Sequence, residues 1–61
     1  MQKVLDETYQ KAIFELLVKL QDEGLNVHQS REQVATMEEL SIEQIKEIER
    51  AGLIHNWPPL D

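Results

Sequence analysis

Cysteine is absent from this chain of 61 residues, and its aromatic residues are one Trp, one Tyr and one Phe. The absence of cysteine excludes disulfide bonds and thiolate metal sites as supports for a small core. In a chain of this length a single core contributes only about 3 to 5 kcal/mol of net stability. We therefore expect a single domain, spanning residues 1–61, whose aliphatic residues form the core and whose stability gains from dimerisation or partner binding.

Long apolar segments are also absent, because no apolar run exceeds three residues, as in Leu16-Leu17-Val18. A membrane-spanning helix needs about 20 such residues, and a signal peptide begins with a basic region followed by an apolar one. Neither pattern occurs at the amino terminus. We therefore expect no membrane partner and a cytoplasmic location.

Positive charge is scarce, since six basic residues stand against twelve acidic ones and give a net charge of −6. The residues up to Gly24 carry three cations and five acids, and those after it carry three cations and seven acids. Such a balance opposes binding to phosphate backbones and anionic membranes. It predicts a protein partner instead, with a basic partner as the best electrostatic match.

Apolar residues recur at helical spacing through the first third of the chain, with no Gly or Pro before Gly24. This periodicity predicts one long amino-terminal helix, about residues 2–23, within a first segment of residues 1–24. At about 100° per residue, one broad face of that helix is apolar. The predicted core-facing residues are Leu5, Tyr9, Ala12, Ile13, Leu16, Leu17 and Leu20.

Val4, Phe14 and Val18 fall on nearly the opposite side of this helix, where charged residues are usual. We interpret them as a dimer or partner surface. The alternative is that the carboxy-terminal tail folds over them.

Gly24 is placed to end the first helix in a left-handed conformation, which predicts a contact between Leu20 and Leu25. A short extended link, residues 25–28, should follow, with Leu25 and Val27 facing inward.

Two capping boxes predict two short helices after this link. Ser30 precedes Gln33 by three residues and Ser41 precedes Gln44 by three, so each serine can cap a helix start. We predict helices at about 31–39 and 42–51, within a second segment of residues 25–54. Gly52 should end the last helix, with Leu53 contacting Ile48.

The spacing of Ala35, Leu40, Ser41, Ile45 and Ile48 resembles that of the helix-turn-helix family over some twenty residues. In that family a small residue in the first helix lets the second helix cross closely, and the second helix reads DNA. The resemblance implies a DNA-binding regulator. The sequence departs from the family at Glu39, where a glycine is usual at the corner.

The outer face of the last predicted helix carries Ile42, Glu43, Lys46 and Glu47. Two acids and an aliphatic residue beside a single lysine do not form a phosphate clamp. Glu43 can instead pair with Lys46, and Glu47 with Arg50, three residues along the helix. With Glu38 and Glu39 these acids make a surface suited to a protein partner.

The last segment, residues 55–61, holds Trp57, Pro58 and Pro59. Two adjacent prolines stop a helix and favour an extended path. Trp57 is predicted either to fold back over Phe14 and Val18 as an internal lid, or to serve as an exposed anchor in a partner's pocket.

Catalytic and metal-binding patterns are missing from the sequence. His28 and His55 lie 27 residues apart, and we expect neither to have a carboxylate one helical turn away, as a helical metal site requires. No glycine loop for phosphates occurs, and a chain of this size has little room for a substrate pocket. We therefore expect no enzyme activity, catalytic residue, cofactor or metal.

These observations predict an all-α domain of three helices with an extended Trp-Pro-Pro tail. Its expected function is non-enzymatic protein binding, as a small acidic regulator or adaptor that forms a homodimer. The predicted partner or dimer surface consists of Val4, Phe14, Val18, Ile42, Glu43, Lys46, Glu47 and Trp57. Three alternatives remain open: a helix-turn-helix transcriptional regulator, a nucleic-acid-mimicking inhibitor, and a terminal docking domain of a multienzyme assembly.

Overall fold

The computed structural model of the protein describes residues 6–60, which form three α-helices joined by two short connections. Helix α1 spans Glu7–Asp22, α2 spans Val27–Glu38 and α3 spans Ile42–His55. Each helix packs against the other two. This confirms the predicted all-α class with three helices. Residues 2–5 of the predicted first helix, Val4 and Leu5 included, lie outside the described residues.

Helix α1 begins later than predicted because Asp6 is its N-cap. The Asp6 backbone is extended, and its carboxylate accepts a hydrogen bond of 2.8 Å from the Tyr9 backbone N–H. At the other end Gly24 has a φ of 113°. The Leu25 N–H donates to the Leu20 carbonyl at 3.2 Å, which confirms the predicted contact across the glycine stop.

Helix α2 begins four residues earlier than the predicted start at 31, at Val27. Its capping box uses Asn26 and Gln29: the Gln29 N–H donates to Asn26 Oδ1 at 2.8 Å, and the Asn26 N–H donates to Gln29 Oε1 at 3.1 Å. The predicted cap at Ser30 and the predicted link to position 28 are therefore wrong. Asparagine caps helices at least as well as serine, and the earlier start adds a turn of helix.

Ser30 is fully buried inside α2. Its hydroxyl donates to the Val27 carbonyl at 2.8 Å and accepts from Gln21 Nε2 of α1 at 3.1 Å. A buried hydroxyl with both functions paired is a stable way to join two helices. Ser30 therefore holds α1 against α2 instead of capping α2.

Helix α3 begins as predicted and ends later than predicted. The Ser41 and Gln44 capping box is present, with the Gln44 N–H donating to Ser41 Oγ at 3.1 Å. The helix runs through Gly52 to His55 and ends at Asn56, which has a left-handed φ of 53°. The prediction that Gly52 ends the helix is wrong. The predicted contact between Leu53 and Ile48 depended on a stop at Gly52, and the two residues differ in exposure, since Ile48 is buried and Leu53 is exposed.

The core lies where the three helices meet, and it includes one residue that the sequence placed outside. Phe14 is buried, whereas Ala12, predicted to face the core, is exposed. The buried face of α1 is thus rotated toward Phe14. The buried apolar residues are Ile13, Phe14, Leu17, Leu20, Val34, Ala35, Leu40, Ile45, Ile48 and Trp57.

The tail folds back onto the helices and is not extended. The Trp57 N–H donates to the Gly52 carbonyl at 3.0 Å, and the Leu60 N–H donates to the Trp57 carbonyl at 3.0 Å. Trp57 is buried, with its ring edge-on to Phe14 at a centroid distance of 6.1 Å. The predicted internal lid is confirmed for Phe14, and Trp57 is not an exposed anchor.

Candidate functional site

The last turn of α3 passes directly over the Phe14 ring at Gly52. A β-carbon at Gly52 would lie 2.3 Å from Cδ1 of Phe14, far inside van der Waals contact. Only glycine lets the helix pass this close to the ring. Phe14 is therefore enclosed by the α3 backbone on one side and by the Trp57 ring on another.

Because α3 continues past Gly52, it presents two large aliphatic side chains to solvent. Leu53 is 65% exposed and Ile54 is 70% exposed, although both lie in regular helix. The buried residues of the same helix, Ile45, Ile48 and Gly52, lie on its core face. Consecutive positions are about 100° apart, so Leu53 and Ile54 turn away from that face.

Leu53 borders an apolar cleft of about 390 Å³ between α1, the first turns of α2, the end of α3 and the tail. Four aliphatic side chains form its walls, and Phe14 and Leu17 lie at its base. Clustered apolar side chains rimmed by polar residues mark interaction sites more often than singly exposed ones do. The wall residues of this apolar cleft are Val18, Val27, Leu53 and Leu60.

An ion pair between Arg31 of α2 and Glu49 of α3 lies at the edge of the apolar cleft. Both side chains are mostly buried, with 28% and 16% of their surface exposed. Each charge compensates the other in this partly dry position, as buried charges require. The pair therefore joins α2 to α3 without leaving net charge of its own.

A basic cavity of about 490 Å³ adjoins the apolar cleft and shares Arg31, Glu49 and Leu53 with it. Its further lining residues are Lys46, Arg50 and Ile54. Three cations and one carboxylate give this lining a formal charge of +2 in a chain whose total is −6. We call the apolar cleft and the basic cavity together the joined cleft.

Lys46 and Arg50 form no ion pair with any residue in the described range 6–60. The predicted pairs of Glu43 with Lys46 and of Glu47 with Arg50 are therefore wrong. Surface pairs of this kind contribute little, so solvation of long side chains competes with them. Within residues 6–60 neither cation is therefore neutralised by an ion-pair partner.

The residues predicted to form a partner surface do not lie together on one surface of the structure. Phe14 and Trp57 are buried against each other, so the placement of Phe14 on an outer face was wrong. Val18 and Lys46 line the joined cleft. Ile42 is half-buried against α2, Glu43 and Glu47 are exposed, and Val4 lies outside the described residues.

Nine of the twelve residues that line the joined cleft were not predicted from the sequence as partner surface: Leu17, Gln21, Val27, Arg31, Glu49, Arg50, Leu53, Ile54 and Leu60. A signal for two of them was present. Asn56 accepts the left-handed conformation that ends a helix, and prolines commonly follow such an end within two residues. Reading Asn56, rather than Gly52, as the stop would have placed Leu53 and Ile54 on a helix and turned them outward.

Tyr9 joins the start of α1 to the end of α2, since its hydroxyl donates to Glu38 Oε1 at 2.7 Å. This hydrogen bond, then burial, then the negative charge of Glu38 raise the pKa of Tyr9 to about 12. The phenol therefore stays neutral, as the hydrogen bond requires, beyond the pH at which a free tyrosine ionises. This contact lies at the end of α2 that is remote from Val27 and stabilises the fold.

The histidines are in different surroundings from those expected. His28 does have a carboxylate one turn away, because its Nε2 lies 3.6 Å from Glu32 Oε1, so that expectation was wrong. His55 stacks on Trp57 with ring centroids 5.9 Å apart. Among residues 6–60 no three His, Cys, Asp or Glu side chains are grouped as a metal site would need.

Another concavity, on the outer side of α2, is less suited to recognition. It runs from Gly24 to Met37 and is lined largely by polar and glycine residues. Met37 is its only large exposed apolar side chain within the described range, at 56% exposure. Specific binding usually needs a cluster of apolar contacts, which the joined cleft has and this concavity lacks.

Comparison of the chain with protein-family models, curated proteins and solved structures found no match. Within the described residues no helix is long and apolar enough to cross a membrane. Function is therefore inferred from the geometry and charge of the chain's own residues.

Proposed function

We propose that this protein is a non-enzymatic protein-binding module, a small regulator or adaptor, that holds its partner in the joined cleft. The observation that carries this proposal is the exposure of Leu53 and Ile54 on consecutive helical positions beside that cleft. Fully burying one such side chain contributes about 1.5 to 3 kcal/mol. Two such side chains would supply part of the apolar contact that a partner needs, together with the walls of the joined cleft.

The chemistry of the lining supports binding more than catalysis. The walls are largely aliphatic, the one carboxylate is already paired with Arg31, and the remaining ionic groups are a lysine and an arginine, Lys46 and Arg50. General acid-base catalysis needs a group that gains and loses protons near the working pH. Apolar walls with a charged rim are instead typical of protein recognition.

Self-association is part of the function predicted from the sequence, but Phe14 does not support it. Phe14 is covered by Gly52 and Trp57 of the same chain, so it needs no second copy to bury it. Any homodimer would use other apolar residues, and Leu53 and Ile54 are the ones that stand outward on α3.

DNA binding is a second candidate, favoured by one observation. Arg31, Lys46 and Arg50 lie together at the joined cleft, so the few cations of the second half of the chain share one face. Glu43 and Glu47 are exposed on the same helix and oppose a phosphate backbone. A titration with duplex DNA at about 50 mM salt tests this candidate, because phosphate contacts strengthen as salt falls. If the protein binds only protein partners, no complex with duplex DNA forms in this titration.

The protein-binding proposal is tested by capture from the cells that make the protein. Immobilised wild type should retain a defined partner, and a variant with Leu53→Ser and Ile54→Ser should lose it. Met37→Ser is the control, since it removes another exposed apolar side chain, which lies away from the joined cleft. Exposed substitutions change stability by about 0.5 kcal/mol or less, which circular dichroism can verify. A partner retained equally by all three proteins would contradict the proposal.

A further inference from the structure

We propose that the occupant of the joined cleft is an acidic amphipathic helix of a partner protein. This inference rests on the proposed protein-binding function and adds the shape and charge of the ligand. Three observations lead to it: the backbone that borders the cleft, the side chains that line it, and the sign of its charge.

The helical backbone around the joined cleft favours a helical ligand over an extended strand. The regular structure of residues 6–60 is entirely helical, so no sheet edge is offered to a strand in that range. Peptides that cannot add to a sheet edge commonly bind as a helix laid into an apolar groove. The joined cleft is such a groove, because α1, α2 and α3 all contribute side chains to its walls.

The aliphatic side chains that line the joined cleft predict an apolar stripe on the bound helix. Val18, Val27, Leu53 and Leu60 surround the apolar part of the joined cleft. A bound helix would fill this part with residues spaced three and four apart, which share one face. Ile54, on the side of the basic cavity, extends the apolar contact toward the cations.

The positive charge of the joined cleft favours an acidic ligand. Lys46 and Arg50 are four residues apart and so lie on one side of α3, and neither has an ion-pair partner among the described residues. The lining carries +2, so the other residues of the chain together carry −8, since the whole chain carries −6. A basic ligand would be attracted to most of the surface without being directed to this cleft. An acidic ligand is repelled elsewhere and attracted here, which gives both affinity and position.

The two parts of the joined cleft also predict how the ligand's residues are arranged. Both parts border the Arg31 and Glu49 ion pair, but Val18, Val27 and Leu60 line only the apolar cleft, whereas Lys46 and Arg50 line only the basic cavity. The carboxylates of the ligand should therefore follow one edge of its apolar stripe rather than surround it.

The test uses the full chain, labelled with ¹⁵N, and three synthetic helical peptides. All three peptides have the same apolar stripe, flanked on one edge by Glu in the first, by Gln in the second and by Lys in the third. Amide shifts in nuclear magnetic resonance spectra detect even weak binding and show where it occurs. We expect the Glu peptide to bind most tightly, with its largest shifts at Arg31, Leu53 and Ile54, and to bind more weakly as salt rises.

Charge-reversed proteins provide the control. Lys46→Glu with Arg50→Glu should weaken binding of the Glu peptide about tenfold at low salt and should favour the Lys peptide. Lys11→Glu with Lys19→Glu, at two exposed positions of α1, changes the net charge by the same amount and should change binding much less. All variants should keep the helical circular dichroism of the wild type.

Other outcomes overturn this inference in distinguishable ways. If the Lys peptide binds most tightly in the joined cleft, the ligand is basic and only the proposed charge is wrong. If no peptide binds while Leu53→Ser with Ile54→Ser still abolishes partner capture, the helix is wrong and the proposed function stands. If sedimentation shows a dimer that Leu53→Ser with Ile54→Ser disrupts, the occupant is a second copy. If capture of the partner also does not depend on Leu53 and Ile54, the proposed function and the acidic-helix inference are both contradicted.

Discussion

Gly52 is the residue on which the candidate site most depends. Its missing side chain lets α3 pass against the Phe14 ring, and the turn that follows carries Leu53 and Ile54. From the sequence this glycine has the pattern of a helix stop, because glycine is common just after helix ends. The close approach of Phe14 cannot be read from local sequence, since the two residues are distant in the chain.

Gly52→Ala should destabilise the protein, although alanine favours helices by about 1 kcal/mol over glycine. The new methyl group would overlap a ring that Trp57 prevents from moving, and overpacking of this kind costs about 1 to 3 kcal/mol or more. We expect a net loss of up to about 2 kcal/mol in the free energy of unfolding. Urea denaturation followed by circular dichroism measures it.

The double variant Phe14→Leu with Gly52→Ala isolates the contact. If the overlap is the cause, Gly52→Ala should cost less in the Phe14→Leu background than in the wild type, which gives a coupling energy of about 1 kcal/mol. Equal costs in both backgrounds would contradict a direct contact between Gly52 and Phe14.

Glu39 has a left-handed φ of 57° at the end of α2, where the helix-turn-helix family commonly has glycine. Its side chain is exposed and makes no polar contact, so its removal loses little. We expect Glu39→Gly to raise the free energy of unfolding by about 0.5 to 1 kcal/mol, because only glycine adopts this conformation without strain.

Two variants control the Glu39 prediction. Glu39→Gln removes the charge while keeping a strained side chain, so it should gain less than Glu39→Gly. Asn56→Gly should also gain less, because asparagine tolerates the left-handed conformation better than glutamate does. A loss of stability in Glu39→Gly would contradict strain at this corner.

At the scale of the helices, capping residues predicted some ends and not others. Ser41 caps α3 as predicted, whereas Asn26 caps α2 in place of Ser30. Both Asn26 with Gln29 and Ser30 with Gln33 have the spacing of a capping box, so the local pattern allowed two starts. Tertiary contacts decided between them, since Ser30 bonds to Gln21 of α1 only from within the helix.

The hydrogen bond between Tyr9 and Glu38 links α1 to α2 and makes stability depend on alkaline pH. The folded pKa of about 12 lies above that of an unfolded tyrosine, about 10. The stabilisation is therefore complete below pH 10 and is lost as pH rises toward 12. Because Tyr9 is the one tyrosine, phenolate absorbance reports its ionisation directly.

Glu38→Gln should lower the pKa of Tyr9 toward its ordinary value, because it removes the charged acceptor. Glu39→Gln is the matched control, since it removes the neighbouring charge without touching the hydrogen bond. Equal shifts in the two variants would mean that general charge, and not the Tyr9 hydrogen bond, sets the pKa.

At the scale of the whole molecule, the net charge and the charge of the candidate site have opposite signs. A total of −6 predicted a basic partner, yet the aliphatic residues that stand outward on α3 lie beside three cations. The first helix followed from apolar periodicity and the other two from capping patterns, and both are local properties. The joined cleft is assembled from all three helices and the tail, so its lining depended on helix ends that local patterns left open.

The central claim is that a partner protein occupies the joined cleft, and contact at Leu53 tests it most directly. A photo-crosslinking residue is placed at Leu53, and separately at Met37 as another exposed apolar position, in protein made in its own cells. We predict that one defined partner is crosslinked at Leu53 and not at Met37. No crosslinked protein at Leu53, or the same products from both positions, would contradict the claim.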